Sequence, residues 1–136
     1  MSNFIHLHLH TQYSILDGAS KISELMEIAS GMGMPAVAIT DHGNMFGAKE
    51  FHNAAREKGI KPIIGVEAYV ARRGMSENTI KDDRSGDHLI LLAKNYAGYR
   101  NLVKLVSLSW IDGFYYKPRV NYQTLRKYSE GIIALS

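Results

Sequence analysis

The chain has 136 residues, 46% hydrophobic and 21% charged, which suits one globular domain with its own core and excludes a disordered or collagen-like polypeptide. Its net charge of +3 comes from scattered lysines and arginines; this is compatible with a polyanionic partner but lacks the clustered footprint of a nucleic-acid-binding face. The absence of cysteine excludes disulfide frameworks, zinc knuckles and thiol nucleophiles. No apolar stretch approaches the ~18 residues of a membrane span, and residues 1–10 lack a signal-peptide pattern, so a cytoplasmic location without membrane contact is expected.

Apolar runs alternate with segments of helical period, which predicts βαβ units and a parallel sheet. Residues 4–9 read as a first strand. Residues 20–32 read as a helix, with Ile22, Leu25, Met26, Ala29 and Met32 on one face, Ser20 as N-cap, and Gly31, Gly33 and Pro35 as stop signals. Residues 36–40 are uniformly apolar, as in a strand buried on both faces. A helix follows over 47–58, closed by Gly59, and then a strand over 60–70, broken near Pro62 and Gly65. Residues 72–87 are polar and aperiodic, the one long loop, of the kind that serves as a lid or mobile segment. A strand over 88–93 precedes a helix over 96–110 that places Tyr99, Leu102, Val103, Val106 and Trp110 on one face. An aromatic turn over 112–119, a short helix over 121–128 and a strand over 131–135 complete the order. A sheet ending on an uncovered strand leaves an apolar edge, so residues 1–136 are expected to be part of a larger domain.

Chemistry concentrates first at His6, His8 and His10. Residues two apart in a strand share a face, so the three imidazoles point together while Leu7 and Leu9 face the other way. Each ring has two nitrogens to satisfy, and a His-x-His pair at the carboxyl end of a strand makes a good metal clamp; hydrogen-bonded histidines on a polar strand are the alternative. Asp17 lies in the following loop, where it could complete a site or serve as a turn residue. Asp41 and His42 end the second strand on the same side of a parallel sheet as His10. Glu67, inside an apolar strand, needs a charge partner, either a divalent cation or a neighbouring strand's base. His88 opens the fourth strand.

His52 reads as a surface residue. Met26, Met32, Met34 and Met45 read as core or gap-filling residues. The aromatic residues at 114–116 could stack on bases, although packing beneath a loop accounts for them better. Neither a glycine-rich phosphate loop nor a Ser-His-Asp arrangement is present. Several His, Asp and Glu ligands without Cys suit Zn²⁺, Mn²⁺ or Fe²⁺, and closely spaced ions of this kind suit metal-assisted phosphoester hydrolysis.

His8-Leu9-His10-Thr11, Thr40-Asp41-His42-Gly43 and Gly65-Val66-Glu67-Ala68-Tyr69 resemble successive motifs of the PHP (polymerase and histidinol phosphatase) superfamily. Residues 11–18 (TQYSILDG), 44–47 (NMFG), 59–65 (GIKPIIG), 91–102 (LLAKNYAGYRNL) and 131–136 (GIIALS) are similar to the N-terminus of bacterial DNA polymerase III alpha subunits of the DnaE type. The likeness covers nearly the whole chain apart from the loop at 72–87.

It implies an α/β fold, the N-terminal part of a distorted (β/α)7 barrel with parallel strands and up to three divalent metals at their carboxyl ends. Carried over by motif, the ligands are His8, His10, Asp17, His42, Glu67 and His88, with Asp41 as a ligand or a partner of His42 and His6 as a structural residue. Zn²⁺ is the expected ion, with Mn²⁺ or Fe²⁺ the alternatives. Three further ligands of the family (a Cys, an Asp and a His) fall beyond residue 136, so the segment alone is expected to hold metal incompletely and to be inactive.

The implied function is a metal-dependent 3′–5′ exonuclease within a replicative polymerase that acts on DNA among other replicase subunits. A non-catalytic scaffold that supports the polymerase or docks a proofreading subunit is the alternative. A stand-alone PHP phosphatase is disfavoured by the likeness of residues 91–102 and 131–136 to the polymerase branch.

Overall fold

The computed structural model describes residues 4–76 and 86–136. Its elements run α1 (Ile22–Gly31), β1 (Ala36–Ile39), α2 (Ala48–Glu57), β2 (Lys61–Val70), β3 (Asp87–Ala93), α3 (Tyr96–Ile111), β4 (Arg119–Val120), α4 (Tyr122–Lys127) and β5 (Ile132–Leu135). β2 is the spine. The sheet order is β1-β2-β3-β5, with β4 also on β2.

One edge of β2 takes three partners in turn, all parallel to it. β1 pairs from Ala36↔Lys61 to Ile39↔Ile64, His42 bridges Glu67, and β4 pairs through Tyr69↔Arg119 and Val70↔Val120. β2 runs unbroken over ten residues, so neither Pro62 nor Gly65 interrupts it.

The α/β class and the parallel strands are as expected, but one direction differs. β3 lies antiparallel on the other edge of β2, from Gly65↔Leu92 to Val70↔Asp87, and β5 is antiparallel to β3. A parallel neighbour requires a crossover, usually a helix, and residues 72–87 carry no helical period. The ends of that loop meet where Arg72 donates to Asp87 through Nε and Nη2; within the predicted lid, residues 77–85 lie outside the described residues.

The expected first strand is not one. Ala38 N donates to His6 O and Thr40 N to Leu9 O, so three steps of this segment run beside two of β1. The extra residue bends the chain at Leu7 and His8 and breaks the strict alternation expected of His6, His8 and His10.

α1 and α2 cover β1 through Ile22, Met26, Val37, Ile39, Phe51 and Ala55. α3 covers β2 and β3 through Val66, Ala68, Val70, Leu91, Leu102 and Leu105. Because side chains alternate along a strand, Glu67 and Tyr69 face away from α3, on the side where Ala38, Ile90 and Leu92 form a smaller cluster.

α1 begins at Ile22 after Lys21, not at Ser20; Ser20 bridges Thr11, and the Gln12 side chain accepts from Ile22 N at 3.0 Å. Asn95 and Asn121 cap α3 and α4 by accepting from Gly98 N and Thr124 N, as Asn does at N-caps. The buried face of α3 is Gly98, Leu102, Leu105 and Ser109, so the predicted face is rotated and Tyr99, Val103 and Trp110 are exposed. Met26 and Met34 are buried as expected, whereas Met32, just past the end of α1, is exposed.

Candidate metal centre

Glu67 is the hub. It is 1% exposed, held in mid-strand by Glu67 N donating to Asp41 O and Gly43 N donating to Glu67 O. Its Oε2 lies 2.6 Å from both His8 Nε2 and His10 Nε2, which are themselves 3.1 Å apart. On its other side Oε1 meets His42 Nδ1 at 3.4 Å and makes a close contact with His88 Nδ1. His88 reaches it because the antiparallel register sets His88 opposite Tyr69, on the face that Glu67 shares. His42 Nε2 lies 2.9 Å from Asp17 Oδ2, and His10 Nδ1 lies 3.7 Å from the same oxygen.

These side chains form three groups that could each hold a metal ion: His8, His10 and Glu67; His10, Asp17 and His42; and His42, Glu67 and His88. Hydrogen bonding alone does not satisfy them. A neutral imidazole has one N–H and one lone pair, so the two Nε2 atoms carry at most two protons for the three contacts they make with each other and with Glu67. With the Nε2 proton of His42 directed at Asp17, its buried Nδ1 turns a lone pair toward Glu67; this nitrogen has no hydrogen-bond partner. Converging lone pairs and carboxylate oxygens fit a cation, and imidazole with carboxylate is a donor set for Zn²⁺, Mn²⁺ or Fe²⁺.

The electrostatics agree with ionised acids. Burial works against ionisation of Glu67, but hydrogen bonds from His8 and His10 and the proximity of the His42 and His88 imidazoles outweigh it and hold its carboxyl below the ordinary value. The hydrogen bond from His42 holds Asp17 low as well.

Asp41 belongs to none of the three groups. It is 1% exposed, and its carboxylate accepts from Thr11 N at 2.6 Å, Thr11 Oγ1 at 2.7 Å and Ser14 Oγ at 2.7 Å. It ties the loop carrying His10 and Asp17 to the end of β1, and Ser14 Oγ in turn accepts from His42 N at 3.1 Å. His6 also stands apart, edge-on to Phe4 with centroids 4.7 Å apart, and His52 is exposed. Thr11, Ser14 and Tyr69 were not among the expected site residues. The Tyr69 ring stacks on His42 at 5.9 Å and 16°. Their signals were present: a buried acid at Asp41 needs donors, and Tyr69 follows Glu67 by the strand period of two.

The sequence profile of the PHP domain matches residues 6–136. The chain belongs to the PHP domain family. This PHP chain is similar to DNA polymerase III subunit alpha of Borreliella burgdorferi (54% identity over 99% of the chain and 12% of the relative). It is similarly close to the subunit of that name from Aquifex aeolicus (51% identity over 98% and 12%) and from Campylobacter jejuni (51% over 100% and 11%). It therefore spans about an eighth of the length of these relatives. Among solved structures, an amidohydrolase from Chromobacterium violaceum with bound sulfate shares the fold at TM-score 0.50 and 27% identity, covering 74% of this chain and 32% of its own. A structure from Bifidobacterium adolescentis named as a metal-dependent phosphoesterase shares it at TM-score 0.51 and 22% identity, covering 81% and 35%. Among the described residues, no helix is long and apolar enough to cross a membrane.

Proposed function

We propose that this PHP segment is the N-terminal part of a replicative DNA polymerase III alpha subunit, and that its site is a divalent-metal centre for 3′–5′ exonucleolytic cleavage of DNA. The observation that carries this reading is the convergence of His8, His10, His42 and His88 on the single buried carboxylate of Glu67. His8, His10, Asp17, His42, Glu67 and His88 are the proposed ligands, with Zn²⁺ the ion best matched to an imidazole-rich set and Mn²⁺ or Fe²⁺ the alternatives. Asp41 acts as a positioning residue: through Thr11 and Ser14 it fixes the loop that presents His10 and Asp17.

Bound ions of this kind supply Lewis acidity toward water and phosphoryl oxygens. The chain's own contribution is geometric. Glu67 supplies a full negative charge at the centre of the imidazoles, and Asp17 orients His42 through its Nε2–H. The shared face of β2 and β3 supplies a rigid floor.

The test uses the full-length subunit and a primer with a mismatched 3′ end. Metal-dependent shortening of the primer that is abolished in Glu67→Ala supports the reading. Full activity in that variant overturns it, and a metal-loaded but inactive wild type assigns the domain to a scaffold.

A further inference from the structure

Three large aromatic rings that the chemistry above does not use cluster around Trp110, which bonds to Gly43, the residue after His42. Phe46, Trp110 and Phe114 are 66%, 42% and 52% exposed. Trp110 stacks on Phe114 with centroids 5.5 Å apart and planes 20° apart, and meets Phe46 at 6.2 Å and 38°. Contiguous apolar surface left open to water marks a binding site more often than scattered single residues do.

The position of these rings relative to the metal centre is fixed. Trp110 Nε1 donates to Gly43 O at 2.9 Å, so the indole's one polar group is satisfied and its face is what it offers. Gly43 follows His42 and bonds to Glu67. It takes φ +61°, and a Cβ there would lie 2.5 Å from Pro118 Cγ; glycine is what lets the turn carrying Phe114 and Lys117 close onto the site. Lys117 Nζ lies 5.1 Å from the centroid of Tyr69, the ring that stacks on His42. Among the described residues no carboxylate lies within ion-pair distance of Lys117. Trp110 is thus tied to the residue after His42, and Lys117, with no carboxylate partner among the described residues, to the ring stacked on His42.

We propose that Phe46, Trp110 and Phe114 form a base-stacking shelf that, with Lys117 on a phosphate, holds the terminal nucleotides of a single DNA strand at the metal centre. The inference rests on the phosphoesterase reading above and deepens it. Every base has a π-face, so rings of this kind grip a strand without reading its sequence, while a cation tracks the backbone. A centre that cuts a terminal phosphodiester needs the end held in place while it reacts, which favours a nucleic-acid strand over a protein partner on this surface.

The test irradiates the full-length protein with a short single-stranded oligonucleotide carrying 5-iodouracil at its 3′ end, in EDTA so that nothing is cleaved, and maps the adducts by mass spectrometry. Adducts are expected on the peptides that contain Phe46, Trp110 or Phe114. Their yield should fall about tenfold in Phe114→Ala and in Lys117→Glu, and be largely kept in Trp110→Phe, which retains a ring face. Thermal melting of each variant separates loss of the shelf from loss of the fold. Adducts missing from these peptides in the wild type, because another part of the protein covers them or because the strand lies elsewhere, overturn the proposal, as does an unchanged yield in a folded Phe114→Ala. Adducts on the shelf of a protein that fails to degrade the oligonucleotide with metal added support the shelf and sink only the exonuclease reading.

Discussion

Glu67, inside β2, and Asp41, just past the end of β1, are both 1% exposed acids on neighbouring strands, yet their surroundings give them different work. Glu67 faces imidazole nitrogens alone, whereas Asp41 faces one backbone N–H and two hydroxyls. Glu67→Gln, which keeps the shape and removes the charge, is expected to weaken zinc binding by about a hundredfold or more, read by chelator competition; unchanged affinity would show that Glu67 is no ligand. Asp41→Asn is expected to cost about 1–3 kcal/mol in urea unfolding, because an amide offers only one acceptor oxygen to three donors, with a smaller loss of metal affinity through the displaced loop. A variant as stable as the wild type would mean that those bonds are not holding the loop.

The pairing of His8 with His10 was legible from their spacing. The separation of His6 was not legible from alternation alone, because it depends on the extra residue between the bonds to Ala38 and Thr40.

Helices and strands were legible where a period or an uninterrupted apolar run marked them, as in β1, α2 and β5. What a local pattern cannot carry is an element's orientation toward its neighbours. β3 is marked by its apolar run, but its direction is set by pairing with β2 far along the chain, and β4 has only two residues, too few to show any period. The rotation of α3 has a specific cause in Gly98. A Cβ there would lie 1.8 Å from Gly131 O, so the helix docks by its glycine onto the turn before β5, and Leu102, Leu105 and Ser109 follow it inward. Gly98→Ala is therefore expected to destabilise the fold by about 3 kcal/mol, measured by chemical denaturation. A neutral substitution would mean that α3 does not pack this closely.

At the scale of the whole molecule, the site is where four segments meet: the bent stretch through His10, the turn after β1 at His42, the middle of β2 at Glu67 and the start of β3 at His88. The residue types were readable in the sequence, and the sheet explains why they meet, since His42 and His88 approach Glu67 from opposite edges of β2. A folded protein that binds metal through groups so far apart in sequence gains stability from it, about 2.7 kcal/mol at a free metal concentration a hundred times the dissociation constant. Chelation should thus lower the melting temperature of the wild type and leave Glu67→Ala unmoved.

The most direct measurement is the metal content of the full-length protein, purified without chelator and analysed by inductively coupled plasma mass spectrometry beside Glu67→Ala. The expected result is stoichiometric divalent metal, chiefly zinc, in the wild type and a background level in the variant; a metal-free wild type, or equal metal in the two proteins, would contradict a metal centre built on Glu67.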